Sequence, residues 1–405
     1  MQALHSQQHF SSPARRVARG ASLIVFALAL MPRGAVPAGT PETPTPVSLG
    51  AKLFADPSLS ASGALACSTC HDPASAHAQS NALSVQLGGP SLDVPGTRAV
   101  PSLRYASFAP AFGFDDEGTP IGGFNRDGRA RDLFEQALRP LFSANEMANA
   151  TPAKLVARVA ASSYAEQFRQ VFGRDIFADE QAAVFAITFA LGQYQKLDPQ
   201  FHRFDSKYDS FLAGRARLAP AELRGLALFN RADKGNCAAC HPSTRGPHGE
   251  PPLFTDFSYD NLGVPRNAEI AANDDGEYFD LGLCGPFRTD LADRSDLCGA
   301  FKVPTLRNVA TRHVFFHNGR FHSLRDALRF YVRRDTNPEE FYPVDANGNV
   351  VVFDDLPPSM RVNVNTVEVP YDRQRGDAPR LSEGELDDLE AFLGTLTDGY
   401  DPAAR

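Results

Sequence analysis

Two five-residue stretches decide the fold of this chain: CSTCH at residues 67–71 and CAACH at residues 237–241. In this pattern, Cys-x-x-Cys-His, two thiols one helical turn apart can bond the two vinyl groups on one edge of a porphyrin. The histidine that follows can then ligate the iron from one face. A redox dithiol or half of a zinc site would not require this histidine both times. The repeated pattern therefore predicts two covalently bound c-type haems, one held by Cys67, Cys70 and His71 and the other by Cys237, Cys240 and His241.

The two stretches belong to a longer internal repeat. LGAKLF at 49–54 precedes the first and LRGLALF at 223–229 precedes the second. The repeat predicts a mainly α fold of two tandem cytochrome-c-like domains, each with one haem. Apolar periodicity further predicts an amphipathic helix that closes each domain. These predictions assign an N-terminal haem domain to 39–215, a C-terminal haem domain to 216–405, and the closing helices to 179–197 and 381–396.

The N-terminus has the pattern of an export signal. Arg15, Arg16 and Arg19 precede the apolar run at 21–31, and small residues follow as far as Ala38. The run is too short for a permanent membrane span. The pattern predicts a cleaved signal peptide over 1–38 and a periplasmic protein. The net charge of −8 argues against a nucleic-acid partner.

The two cysteines outside the haem motifs are Cys284 and Cys298. In an oxidising compartment a disulfide between them is the simpler interpretation, and two free buried thiols are the alternative.

Few methionine or histidine residues could serve as the sixth ligand of either iron. After signal cleavage only Met147 and Met360 remain, and no histidine lies between His77 and His202. His77 itself follows the first motif so closely that we expect it in a surface turn. The first haem is therefore expected to keep an open site, which favours catalysis over electron carriage.

The segment at 124–147 could serve such an open site. It predicts a helix around 131–138, a break at Pro140, and then Glu146. A carboxylate near an open iron can move a proton between the two oxygens of bound peroxide. A solvated acid at a helix end is the alternative interpretation of Glu146.

The stretch HSLRDALRFYVRRD at 322–335 predicts a short helix with Ser323 as N-cap. Its apolar stripe ends at Tyr331. Taken alone, a tyrosine on such a stripe is a core residue.

Both haem motifs, together with DGRA at 127–130, FKVPTLRNVA at 301–310 and FHNG at 316–319, resemble the bacterial di-haem cytochrome c peroxidase and MauG superfamily over nearly all of the mature chain. The resemblance implies a distal catalytic role for Glu146, a distal-pocket glutamine at Gln136 and a proline over the peroxide-binding haem at Pro140.

The resemblance also implies that Tyr331, fourteen residues after His317, is the sixth ligand of the second haem. Ordinary peroxidases of the family have methionine there, and MauG-like enzymes have tyrosine. The tyrosine implies an enzyme that reacts with hydrogen peroxide at the N-terminal haem and stores oxidising equivalents over both haems. Its expected substrate is a tryptophan on a protein partner, as in MauG-like enzymes, and the methanobactin-associated subgroup looks similar.

Two other functions stay open from the sequence. One is a peroxidase that takes electrons from a small periplasmic cytochrome, and the other is a non-enzymatic di-haem electron carrier.

Two positions depart from the family pattern. The tryptophan between the haems is Arg126 here, so inter-haem transfer would need direct coupling or another residue, such as Phe124 or Tyr105. An asparagine that helps to hold an inter-haem calcium corresponds to Ala99. Backbone carbonyls near Arg312 and Val314 could still contribute, so the sequence allows calcium as a further cofactor.

Overall fold

The computed structural model describes residues 43–403, and the signal peptide expected over 1–38 lies outside this range. Within 43–403 no helix is both long and apolar enough to cross a membrane. The fold is mainly α, as the sequence predicts, and what sheet is described consists of two-residue strands in antiparallel pairs. The helices of the described range are α1 (Pro46–Phe54), α2 (Cys67–Cys70), α3 (Leu133–Phe142), α4 (Pro152–Ala160), α5 (Ala165–Phe172), α6 (Glu180–Leu197), α7 (Lys207–Leu212), α8 (Pro220–Asn230), α9 (Leu324–Arg333) and α10 (Glu383–Gly394). The strands are β1 (Leu87–Gly88), β2 (Val94–Pro95), β3 (Gly113–Phe114), β4 (Pro120–Ile121), β5 (Tyr259–Asp260) and β6 (Phe301–Lys302).

The internal repeat corresponds to two pairs of packed helices. Helix α1 packs against α6, and α8 packs against α10. Gly50 lies where α1 crosses α6, and a Cβ there would overlap the carbonyl oxygen of Ala190. Gly225 lies where α8 crosses α10, and a Cβ there would overlap the carbonyl oxygen of Asp388. The repeated glycine thus lets the backbones of each pair approach closely.

Each helix pair belongs to its own hydrophobic core. The N-terminal core includes Leu53 and Phe54, and the C-terminal core includes the matching residues Leu228 and Phe229. The predicted closing helices are present as α6 and α10 and contribute to these cores. In each half the haem motif therefore follows a helix that is anchored by a leucine-phenylalanine pair.

Helix α3 differs from the prediction of a break at Pro140. Asp132 caps its N-terminus by accepting hydrogen bonds from the backbone N–H groups of Phe134 and Glu135. The helix continues through Pro140 to Phe142. A proline costs a helix the hydrogen bond to the carbonyl four residues earlier, but here the last turn is kept because the N–H of Ser143 donates to the carbonyl of Arg139.

Candidate haem sites

The two motif histidines are held in the same way. The backbone N–H of His71 donates to the carbonyl of Cys67 at 2.9 Å, and that of His241 to the carbonyl of Cys237 at 2.8 Å. The ring Nδ1 of His71 donates to the carbonyl of His77 at 3.1 Å, and Nδ1 of His241 to the carbonyl of Phe254 at 2.8 Å. A backbone acceptor on Nδ1 fixes the tautomer in which Nε2 has a free lone pair, as in most metal-bound histidines.

Burial keeps both imidazoles neutral. It lowers the pKa of His71 to about 4 and lowers that of His241 as well, although backbone hydrogen bonds act in the opposite direction. Neutral imidazole is the form that ligates iron. Together with the fixed tautomer, this makes both residues fit a proximal haem ligand.

The thiols of each motif lie on a single helical turn, α2 in the first half and a 3₁₀ turn, Cys237–Ala239, in the second. Burial is the largest cause that raises the thiol pKa values, to about 12 for Cys67 and about 11 for Cys70. The carboxylate of Glu146 raises both further, so Glu146 lies in the electrostatic environment of the first pair of thiols. The structure thus brings the acid that the sequence singled out to the first haem motif.

Glu146 itself follows helix α3 in a short turn. Its side chain is exposed, yet the protein around it removes enough hydration to raise its pKa, against the lowering effects of Ser143 and Arg129. Gln136 and Pro140 lie four residues apart in α3 and so face the same side of that helix. A hydrogen bond holds this turn against α3: the N–H of Met147 donates to the carbonyl of Pro140 at 3.1 Å.

His77 is not in a surface turn, which corrects the prediction from its position. The residue is fully buried, and its ring lies 4.1 Å from that of Phe201 and 5.9 Å from that of Phe54, centroid to centroid. Its backbone adopts a positive φ of 54°. This conformation turns the His77 carbonyl towards His71 and its ring into the N-terminal core.

Tyr331 lines one cavity together with Cys237, Cys240 and His241. The cavity has a volume of about 340 Å³, within the range of sites that hold small ligands. Helix α9 places Tyr331 there: Ser323 caps the helix by accepting from the N–H of Asp326 at 3.0 Å, as predicted. Burial raises the pKa of Tyr331, and the nearby Cys237 thiol raises it further. A metal ion would be needed to stabilise its anion.

Two residues beside Tyr331 were not singled out from the sequence. The ring of Tyr371 lies 6.1 Å from that of Tyr331. Arg334, only 1% exposed, lies with its guanidinium carbon 4.6 Å from the centre of the Tyr371 ring. Arg334 follows Tyr331 by three residues and so shares its side of the helix, which a helical projection could have shown. Tyr371 comes from a separate loop, and no local pattern connects it to α9.

The DGRA motif lies at a buried ion-pair centre. Asp127 is fully buried and accepts from Arg98 and Arg129, at 2.7 Å each. Arg98 also pairs with Asp280 at 2.6 Å. These pairs connect the loop before α3 to segments of both halves of the chain.

The two aromatic residues considered for inter-haem transfer both line the cavity that contains Tyr331. Tyr105 is 1% exposed, and its hydroxyl donates to the carboxylate of Asp398 at 2.6 Å. Phe124 is also buried. Whether either conducts electrons stays a prediction.

Cys284 and Cys298 are bonded to each other in the structure, with their Cα atoms 5.1 Å apart. The bond closes a loop of fourteen residues whose ends also pair by backbone, since Gly282 and Cys298 form a β-bridge.

Comparison with known proteins places these sites in a family. The model of the family described as di-haem cytochrome c peroxidase matches residues 44–217. The methylamine utilization protein MauG of Paracoccus denitrificans is 36% identical over 385 residues, which cover 90% of this chain and 93% of that protein. The cytochrome c551 peroxidase of Nitrosomonas europaea is 30% identical over 320 residues, covering 75% of this chain and 79% of that protein.

Among solved structures, the chain is similar to the diheme peroxidase BthA from Burkholderia thailandensis, with a TM-score of 0.79 and 38% identity over 89% of each chain. A MauG-like protein associated with microbial copper homeostasis matches with a TM-score of 0.61 and 26% identity, covering 87% of this chain and 89% of the other. With this identity and coverage, the chain belongs to the di-haem cytochrome c peroxidase and MauG family, whose members are peroxide-dependent di-haem oxidoreductases.

Proposed function

We propose that this enzyme reacts with hydrogen peroxide at the N-terminal site and uses the oxidising equivalents on a protein partner, as a MauG-like oxidase. The observation that carries the proposal is the position of Tyr331, which lines the same cavity as His241 and the two thiols of the second motif. A tyrosine oxygen is a hard, anionic ligand that favours higher oxidation states of iron than a methionine sulfur does. Such a ligand suits a site that retains an oxidising equivalent.

The residues of the first site have complementary roles in this proposal. The haem supplies the iron at which peroxide is reduced. Cys67 and Cys70 would attach that haem covalently, and His71 would ligate its iron. Glu146 accepts a proton from peroxide and returns it to the departing oxygen, so that water leaves. Gln136 and Pro140 border the distal side, where they orient peroxide and limit the entry of water.

At the second site, Cys237 and Cys240 would attach the haem covalently, and His241 and Tyr331 would ligate its iron. We propose that burial of Tyr331 keeps solvent away from this ligand. The expected product is an oxidised tryptophan on the partner, as the resemblance to MauG-like enzymes implies.

Cellular placement and domain limits complete the proposal. Export through the signal at 1–38 would bring the chain to the periplasm, where c-type haems are attached. The sequence predicts a domain boundary at 215/216; because the N-terminal core ends at Phe201 and the C-terminal core begins at Tyr208, we propose that the boundary lies between these two residues.

A second candidate function is that of a peroxidase supplied by a small cytochrome. The observation in its favour is the similarity to proteins named peroxidases, at 38% and 30% identity. A non-enzymatic electron carrier does not fit the family.

Stopped-flow spectroscopy separates the two functions. The purified holoprotein is mixed with one equivalent of peroxide, with and without a reduced small cytochrome. The proposal predicts an oxidised form that persists for minutes and is only slowly reduced by the cytochrome. Fast multiple-turnover oxidation of the cytochrome would instead establish the peroxidase.

A further inference from the structure

Three half-buried cationic side chains line the cavity that contains Tyr331: Arg126, Lys302 and Arg312, here called the inter-haem cation cluster. Arg126 donates through Nε and Nη2 to the carbonyl of Ala99, at 3.1 and 3.0 Å. Arg312 donates to the carbonyls of Val100 and Val314, and Lys302 to that of Gly123. Within residues 43–403, no carboxylate lies within ion-pair distance of any of the three.

The carboxylates nearest to the cluster already have other partners. Asp127 is shared between Arg98 and Arg129, and Asp280 is held by Arg98 through two hydrogen bonds. Carbonyl oxygens carry only partial charge and do not neutralise an ammonium or guanidinium group. Within the described residues, the three cations of the cluster therefore have no carboxylate partner of their own.

Such an arrangement is costly without a counter-charge, because an unpaired ion that is largely surrounded by protein loses part of its hydration energy. The cost is visible in the proton affinities: burial lowers the pKa of Lys302 to about 8, that of Arg126 to about 9 and that of Arg312 to about 10. Since charged groups that are shielded from water in native proteins are usually paired with an opposite charge, the cluster indicates an anionic ligand.

The position of the cluster identifies the chemical class of that anion. The cavity it lines also contains His241 and the second pair of thiols. Arg312 lies close enough to His71 to lower the pKa of that histidine. The cluster thus lies between the two haem motifs, and each haem carries two propionate carboxylates at the edge opposite its vinyl groups.

We propose that Arg126, Lys302 and Arg312 bind haem propionates and so provide the counter-charge between the two haems. The proposal rests on the two haems of the family, and it deepens the proposed function because it assigns residues that set the haem potentials. A fixed cation at a propionate makes oxidation of the adjacent iron less favourable and so raises its reduction potential. The residue that replaces the family's tryptophan thereby has an electrostatic role.

Spectroelectrochemical titration of the holoprotein in the absence of peroxide tests this proposal. Arg126→Gln keeps a hydrogen-bond donor for Ala99 but removes the charge, and Lys302→Met removes the charge that strand β6 contributes. Each variant should change the redox equilibrium constant of at least one haem about tenfold towards the oxidised form, a fall of about 59 mV for one electron. Arg126→Lys should restore most of the fall.

The matched control is Arg131→Gln, which removes the same charge from a side chain that is 84% exposed five residues away. Its potentials should equal those of the wild type, since solvent screens exposed charges. Unchanged potentials in both Arg126→Gln and Lys302→Met would overturn the proposal. So would a wild-type potential that depends on added phosphate or chloride and loses this dependence in the variants, because the anion would then come from solution. None of these readouts uses peroxide, so the proposed function can fail while this inference stands.

Discussion

Replacement of Gly225 by alanine tests the close helix crossing beneath the second haem motif. The added Cβ would overlap the carbonyl oxygen of Asp388 and lie 2.7 Å from the Cβ of Phe392. The first of these neighbours is backbone, which cannot move away by a change of rotamer, so α8 and α10 must separate. Overpacking of a core costs about 1–3 kcal/mol, and a backbone obstacle places this case near about 3 kcal/mol.

The higher helix propensity of alanine offsets about 1 kcal/mol of this cost. The net expectation is a loss of about 2 kcal/mol, or a fall in Tm of about 4–8 °C. Gly394→Ala is the matched control: it lies at the end of α10, and a Cβ there meets no atom within 4 Å. Its Tm should stay equal or rise slightly.

Thermal unfolding of the holoproteins, followed by circular dichroism at 222 nm, measures both changes. If Gly225→Ala and Gly394→Ala had the same Tm, the close crossing would not be what requires the repeated glycine, and our account of the internal repeat would be refuted.

Three further perturbations test the sites. Glu146→Gln should slow the reaction with peroxide about 10²–10⁴-fold, because it removes the proton acceptor. Burial raises the pKa of Glu146, so the wild-type rate should fall as the pH drops through that raised pKa, and a stopped-flow pH profile of the variant with the same fall would contradict this. Asp127→Asn should lower the free energy of unfolding by about 1.5–3 kcal/mol, because it removes the buried carboxylate that Arg98 and Arg129 share and leaves Arg98 with Asp280 alone; a loss below about 0.5 kcal/mol in chemical denaturation would be contrary to this. Treatment with a calcium chelator should change neither the Tm nor the haem potentials, because Arg126 and Arg312 already donate to the carbonyls of Ala99 and Val100. A Tm that rises with added calcium would show that calcium is bound.

The sequence predicts the parts of this protein that depend on local patterns. The spacing of Cys67, Cys70 and His71, and its repetition at 237–241, was enough to expect a mainly α di-haem fold. The periodicity of 179–197 and 381–396 predicted α6 and α10 to within one or two residues at each end. Capping chemistry at Ser323 located the start of α9 correctly because a cap is a contact between near neighbours.

Features that depend on long-range packing could not be predicted in this way. His77 was expected in a surface turn because it follows the first haem motif so closely, but its ring packs on Phe54 and Phe201, which are distant in sequence. Pro140 was expected to end a helix, yet neighbouring contacts preserve the last turn of α3. The inter-haem cation cluster comes from three separate segments, so it is visible only once the fold brings them together.

The identity of the sixth ligand of the second haem tests the central claim most directly. Electronic absorption and low-temperature EPR of the ferric holoprotein, before and after one equivalent of peroxide, should be compared for the wild type and Tyr331→Phe. Tyr371→Phe serves as control because it alters the neighbouring tyrosine of the same cavity, and Met360→Leu removes the alternative donor. We predict that Tyr331→Phe changes the ligand field of one haem and abolishes the persistent oxidised form, while both controls retain the wild-type spectra. Wild-type spectra in Tyr331→Phe, or loss of the native ligand field in Met360→Leu, would contradict the account.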